Sequence, residues 1–381
     1  KIGGNRFLFL PSSFTSGASY FLGLANTPMT GYREASIGNP GVTWEVAKKL
    51  NIGGDFRFFK DKLTVAADVF SEKREKILWN LNVPITFGPT NLISPYNIGV
   101  AENKGFEIEM GFRDVIKSSK LTYYANANFT YTRNRIVYMD EAPQPFAGLA
   151  MTGNRIGQPK GLIAEGIYNT WEEINNPKRP KSVWEGAGLV PGDIRYKDVN
   201  GDGIIDDNDR SNIGNPNIPG IIYGATVGAQ WKGFEISLFF QGAAQVSTYL
   251  TGESAWPFIA GTKTAFERAK ESWSAERFAN GQKITLPRLT AAPDANRHNY
   301  RVSSFWMQDA SYLRLKNVEV AYTIAPKIIQ KLSLKSLRVY MNGQNLVTWT
   351  KMEYFDPEIP SSNGAVYPMM RVFNFGVNVQ F

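Results

Sequence analysis

The residues best suited to chemistry lie between Asp198 and Asp209, in the run Asp198-Val199-Asn200-Gly201-Asp202-Gly203-Ile204-Ile205-Asp206-Asp207-Asn208-Asp209. Asp198, Asn200, Asp202 and Asp206 place side-chain oxygens at alternating positions, and Ile204 offers its backbone carbonyl. Hard Ca²⁺ takes about six to eight oxygens, and calcium-binding loops supply them at this spacing. Gly203 permits the sharp turn such a loop needs. The closing ligand is usually a bidentate Glu. Here it is Asp209, one methylene shorter, so coordination at that position is looser or water-assisted. The flanks do not carry the two helices of an EF-hand. The expectation is a structural Ca²⁺ site built from Asp198, Asn200, Asp202, Ile204, Asp206 and Asp209, with Mg²⁺ not separated from Ca²⁺ by spacing. The alternative is an Asx- and glycine-rich surface turn that binds nothing.

Little else in the chain could do chemistry. There is no cysteine, which removes disulfides and thiolate metal sites. The one histidine, His298, sits in Asp294-Ala295-Asn296-Arg297-His298-Asn299 and reads as a solvated loop residue, with no nucleophile elbow to complete a triad. Glu107 and Glu109 are two apart on one predicted strand, which is ordinary for a polar surface. No catalytic residue is assigned, and the chain reads as no enzyme. The net charge of +8 comes from Lys and Arg scattered among acids, with no basic run or RNA-binding signature, so nucleic acid is not an expected partner. Trp171, Trp184, Trp256 and Trp306 fall in predicted loops or near strand ends and could stack on sugar rings. Loop-packing tryptophans are as common, so no substrate-binding residue is assigned.

The elements that must carry the Asp198 loop are strands. No apolar run approaches the roughly 18 residues of a membrane helix. The last eleven residues instead alternate without a break: Phe373, Phe375, Val377, Val379 and Phe381 against Asn374, Gly376, Asn378 and Gln380. Side chains on a strand point to opposite faces with period two, so one face is wholly apolar and the other amide or glycine. That pattern, with an aromatic at the end, is the one a membrane-spanning β-barrel strand carries. The same alternation recurs at Leu50–Phe58, Leu63–Val69, Phe106–Phe112, Tyr123–Tyr131, Tyr223–Trp231, Phe234–Phe240, Tyr312–Thr323 and from Leu337. The apolar parity of Tyr312–Thr323 changes near Asn317, which predicts a bulge. Tyr20–Leu24 is a further candidate strand. Phe266, Ala269, Lys270 and Trp273 have helical spacing within Lys263–Trp273.

Short turns at Lys60, Ser118, Lys232 and 326–335 alternate with long loops at about 80–99, 138–219, 245–302 and 346–368. Up-and-down transmembrane barrels have this arrangement, with short periplasmic turns and long outer loops. The expected fold is all-β: an antiparallel transmembrane β-barrel portion of roughly 10–12 strands. The last strand descends from a long loop and leaves the C-terminus on the periplasmic side. Because Lys1 is not a natural start and an outer-membrane barrel must be exported, the 381 residues read as a piece of a longer precursor.

Several motifs resemble, in order, the SusC/RagA family of TonB-dependent outer-membrane transporters. They are Asn39-Pro40-Gly41-Val42-Thr43-Trp44-Glu45, Asn97-Ile98-Gly99 with Glu102-Asn103-Lys104-Gly105-Phe106-Glu107, and Pro191-Gly192-Asp193-Ile194-Arg195-Tyr196-Lys197-Asp198. Phe239-Phe240-Gln241-Gly242, Asp309–Asn317, Asn342-Gly343-Gln344-Asn345-Leu346, Asp356-Pro357-Glu358 and Tyr367-Pro368 follow. The resemblance implies the C-terminal barrel part, residues 1–381, of a larger plugged barrel whose plug and first strands are absent. It implies active import of glycan or peptide across the outer membrane of a Bacteroidetes-type bacterium. TonB would supply the energy through the missing N-terminal part, and a SusD-like lipoprotein would act as a lid. A passive porin and a secreted calcium-stabilised binding module remain as alternatives.

Overall fold

Each predicted alternation forms a strand in the computed structural model. It describes the chain apart from residues 1–7, 11–12, 25–26, 85, 87–91, 187, 254, 260–263, 291–297, 326–327, 329–333, 360–362 and 365. The long strands are β1 (Ser13–Leu22), β2 (Thr27–Ser36), β3 (Val46–Phe58), β4 (Leu63–Trp79), β5 (Tyr96–Ile116) and β6 (Leu121–Tyr138). They continue with β7 (Ile221–Trp231), β8 (Phe234–Ala244), β9 (Tyr312–Thr323), β10 (Ser336–Thr350) and β11 (Val372–Gln380). Strands β3 to β11 form a 9-stranded antiparallel sheet in which neighbours in sequence are neighbours in space. β1 and β2 pair with each other as a separate hairpin.

The register explains why one face is apolar throughout. Directly opposed residues of antiparallel strands share a face. Starting at β11, Phe373 stands opposite Gly343, then Val318, Leu238 and Val227, and the row continues through Ala125, Phe112, Leu63 and Phe58. A row of the other face runs Thr348, Arg314, Gln241, Gly224, Asn128, Glu109, Ala66 and Asp55. Aromatic rings mark both ends of the apolar face. Trp231, Phe234 and Tyr322 share a row at the short-turn end, with the Phe234 and Tyr322 rings 4.5 Å apart. Tyr223 and Phe129 share a row toward the loop end. On β7 the two belts are about 26 Å apart at ~3.3 Å per residue, close to the height of a barrel's lipid-facing band.

The short turns of the 9-stranded sheet lie at one end. Phe59, Lys60 and Asp61 close β3–β4 with positive φ, and Lys232-Gly233 close β7–β8 with φ of 48° and 91°. Glycine lowers the cost of that geometry at the second position. The pairing of Ser336 with Gln380 puts the C-terminal strand's end at the same side. The predicted bulge is present: Lys316 is the extra residue, skipped between Leu315 and Asn317 in the pairing with both β8 and β10. Most of the predicted turn at 326–335 lies outside the described residues.

Two expectations need correction. β4, β5 and β10 reach further toward the loop end than the apolar alternation does. Beyond the apolar face the strands are held by backbone pairing and cross-strand ion pairs such as Lys48–Glu75 (2.7 Å) and Arg74–Glu45 (2.9 Å), which carry no hydrophobic period. The predicted helix at 263–273 is only a 3-10 turn, Glu267–Glu271, with residue 263 outside the described residues. The Trp273 N–H donates to the Leu286 carbonyl (2.9 Å), which draws the chain into extended pairing and ends the turn.

Among the described residues the buried apolar clusters lie chiefly in the long connections rather than on the sheet faces. One gathers Leu162, Ile194, Tyr196, Ile205, Leu286 and Trp306. A second joins Val246, Leu250, Ala255 and Met352 to the loop-end strand residues Ala243 and Tyr312. This loop layer folds over the polar face. A cavity of about 510 Å³ is lined by Ile222, Gln241 and Ala243 from that face and by Val246, Ser247, Pro357 and Glu358 from the loops. The polar face is therefore the interior one.

Candidate functional site

The Asp198 loop belongs to the loop layer and is held between two short ladders. Ile194–Tyr196 pairs antiparallel with Ala164–Ile167, and Ile204-Ile205 pairs parallel with Lys181-Ser182. Within the loop the side chains of Asp198, Asn200, Asp202 and Asp206 organise backbone, while Asp207 pairs with Arg210 (2.8 Å). Asp198 accepts from the N–H groups of Gly201 (2.7 Å) and Gly203 (2.8 Å), Asn200 from Asp202 (2.9 Å), and Asp202 from Ile204 (2.8 Å). Asp206 caps the 3-10 turn Asp207–Asp209 by accepting from the Asn208 N–H (2.7 Å).

Asp209 behaves differently. It is fully buried, and its carboxylate accepts from the N–H groups of Val199 (2.7 Å), Asn200 (3.3 Å) and Asp206 (2.9 Å). It braces the two ends of the loop together. To act as a metal ligand it would have to share an oxygen already engaged by backbone. Among the described residues no three carboxylate or imidazole groups converge as a ligand cluster. The donor chemistry is all hard oxygen, which suits Ca²⁺; Asp202 is exposed, and Asp198, Asn200 and Asp206 are half-buried.

Immediately before this loop, the Pro191–Asp198 motif is locked to the connection that follows β8. Asp193 is buried and accepts from the Arg288 guanidinium (2.7 Å), the Asn299 amide (2.8 Å) and the Val190 N–H (2.9 Å). Asn299 in turn accepts from the Ile194 N–H (2.8 Å). His298 corrects the expectation of a solvated residue: it is 3% exposed, and its ring lies 4.9 Å from that of Tyr196. Nε2 is 2.7 Å from the Ile194 carbonyl, so it carries the proton and donates, while Nδ1 faces the Ser182 hydroxyl at 3.2 Å. Burial lowers its pKa below the ordinary histidine value and keeps it neutral. It is a structural tie between loops. Burial opposes ionisation of Glu185 nearby, yet the Arg179 guanidinium and the Ser182 N–H hold its carboxyl below the usual range.

A second lock was present in the sequence as two unconnected motifs. Arg314 on β9 is 1% exposed and donates to Asp356 (2.6 and 2.7 Å) and Glu358 (2.8 Å) in the last long loop. The bulged Lys316 also donates to Glu358 (2.7 Å). Such a side chain in a strand pattern signals a buried pair only once its acidic partners are placed.

The polar face itself carries Asp55, Arg57, Thr64, Glu109, Asn126 and Thr226 around a hollow of about 610 Å³. Glu107 and Glu109 both project from it, as expected. The tryptophans divide: Trp306 is buried, Trp256 packs on Trp306 and Tyr300, and Trp184 is covered by Arg301 at 4.2 Å, which leaves Trp171 exposed.

This geometry has relatives. Residues 9–346 match the family model described as "TonB dependent receptor-like, beta-barrel". TonB-dependent receptor P3 of Formosa agariphila is 26% identical over 389 residues, covering 96% of this chain and 37% of the relative. TonB-dependent receptor SusC of Bacteroides thetaiotaomicron is 24% identical over 346 residues, covering 90% of this chain and 32% of that protein. The chain thus spans well under half the length of these relatives. Among solved structures, the RagAB peptide importer in its open-open state matches over 97% of this chain and 38% of that one, at 20% identity and a TM-score of 0.68. At that identity the likeness speaks for the fold. By the family match over most of its length, the chain belongs to the TonB-dependent receptor-like β-barrel family.

Proposed function

We propose that this chain supplies the C-terminal barrel part of an active outer-membrane importer, energised by TonB through a plug contributed by the rest of the parent protein. The family groups receptors rather than enzymes. The observation that carries the reading is the sheet's two-sidedness: a continuous apolar band between aromatic belts on one face, and a polar, loop-roofed face on the other. An apolar face of this extent needs lipid, and the polar face suits a water-filled path. In this reading the short turns and Phe381 face the periplasm and the loop layer faces outward. A SusD-like surface lipoprotein would dock on that layer, and the cargo would be a peptide or oligosaccharide. The likeness to the RagAB peptide importer supports the peptide half of that range.

The Asp198 loop would hold a structural Ca²⁺ through Asp198, Asn200, Asp202, Asp206 and the Ile204 carbonyl. Asp209 would act as brace or as a water-mediated ligand. When bound, the ion would neutralise the carboxylates and stiffen the loop layer. The function is tested by deleting the parent gene and measuring uptake of labelled peptides and oligosaccharides, with and without a protonophore. Uptake lost in the deletion and in energy-depleted cells supports the importer. Flux that persists without energy identifies a passive porin.

A further inference from the structure

The apolar face of β3 to β6 ends in two cationic rows. Its uppermost apolar row is Ile52, Val69, Phe106 and Tyr131, with the Phe106 and Tyr131 rings 5.7 Å apart. One step toward the loop end, the next row on the same face is Leu50, Ser71, Lys104 and Arg133. The row beyond it is Lys48, Lys73, Glu102 and Arg135. Lys104 and Arg133 stand directly opposite each other, an arrangement that costs stability unless an anion lies between them.

The carboxylates at hand do not balance these cations. Glu75 is shared by Lys48 (2.7 Å) and Lys73 (2.8 Å), and Glu102 lies 3.5 Å from both Lys104 and Arg135. Among the described residues no carboxylate pairs with Arg133. The side chains of Lys48, Lys104 and Arg135 are 67%, 64% and 58% exposed, so they are free to reach outward. On β7 and β8 the same face stops at Ile221 and Ala244, level with Tyr131, so the cationic rows of β3 to β6 rise one step beyond the paired end of those strands.

We propose that Lys48, Lys73, Lys104, Arg133 and Arg135 form a site for the phosphorylated headgroup of an anionic outer-leaflet lipid, whose acyl chains lie along the apolar rows below. The inference rests on the outer-membrane reading, because only there is this face bathed in lipid. The geometry favours a lipid over free phosphate: the cations are continuous with the apolar band, and they sit about one strand step beyond its aromatic edge, where headgroups lie.

The test uses the full-length parent protein, extracted from outer membranes and delipidated in detergent. Native mass spectrometry follows its binding of bis-phosphorylated lipid A, with dephosphorylated lipid A and inorganic phosphate as comparators. Each cation near a charged lipid surface contributes about fivefold, so Lys104→Gln with Arg133→Gln should weaken binding by about thirtyfold. The charge-preserving pair Lys104→Arg and Arg133→Lys should retain it, as should Lys117→Gln at the opposite end. Equal binding by the charge-neutral pair, or equal binding of dephosphorylated lipid, would overturn the proposal. Displacement by inorganic phosphate at matched concentration would show a simple anion site and overturn the lipid assignment. Membrane fractionation separates the two readings: a protein inserted normally yet indifferent to lipid phosphate refutes this site alone, whereas a protein absent from the outer membrane refutes both.

Discussion

Replacing Arg314 should release the last long loop from the sheet while leaving the sheet intact. Its guanidinium is 1% exposed and is the shared cation of Asp356 and Glu358, which are 21% and 22% exposed. Breaking a buried pair by removing one partner costs about 3–5 kcal/mol, because the remaining charge is left uncompensated. Here both carboxylates reach some water and Lys316 still holds Glu358, so the lower end, about 3 kcal/mol, is expected for Arg314→Met. That corresponds to about 150-fold faster opening of the segment Met352–Ile359, read by hydrogen–deuterium exchange on the full-length protein. The strand amides of β9 and β10 should keep their protection. Arg314→Lys keeps the charge but not the forked geometry that grips Asp356, and should fall between wild type and Met. The combination Arg314→Met with Asp356→Asn and Glu358→Gln should recover much of the loss, since it removes the stranded charges too. Exchange within about twofold of wild type for Arg314→Met, against the roughly 150-fold expected, would refute the lock.

Three other outcomes follow from the loop layer. Because burial depresses the His298 pKa, the unfolded chain binds more protons than the folded one just below the ordinary value, about 6.5. Loop-layer stability should therefore be complete above that pH and fall as pH drops through it toward the folded value; His298→Gln should flatten that dependence in a pH series of exchange or proteolysis rates. Gly192 has φ of +97°, and an added Cβ would come within 2.5 Å of Trp273 Cε3 and 2.6 Å of Arg288 Cβ. Gly192→Ala should cost about 3 kcal/mol or more and be seen as new proteolytic cleavage between Tyr168 and Arg288. If the Asp198 loop holds Ca²⁺, the ion at a hundredfold excess over its Kd should add about 2.7 kcal/mol to the loop layer. Calorimetry with and without chelator would show this, and Asp202→Asn should shrink the difference.

The strands were legible because a membrane imposes one rule on every one of them. Phe373, Val318, Leu238, Val227 and Phe112 must all face lipid, so period two survives in each segment. Even the Lys316 bulge showed as a change of parity. The loop layer was far less legible. His298 looked solvated because its neighbours in sequence are polar, while the groups that bury it, Ile194 and Tyr196, lie about a hundred residues away. Arg314 and Asp356 were both visible as motif residues, yet a side-chain pair across 42 positions leaves no local period. Likewise the Asp198 loop showed its oxygens in the sequence, but the role of Asp209 depends on three backbone N–H groups that only the folded turn brings to it.

The most direct test of the account is a lipid-contact scan of β7 and β8. The chain has no cysteine, so single cysteines can be placed at Val227, Thr226, Leu238 and Ser237 of the full-length protein and labelled with a fluorophore. In vesicles containing brominated lipid, labels at Val227 and Leu238 should be strongly quenched, and those at Thr226 and Ser237 should instead respond to a water-soluble quencher. Uniform aqueous access on both faces, or lipid contact at Thr226 and Ser237, would contradict a barrel wall with its polar face inward.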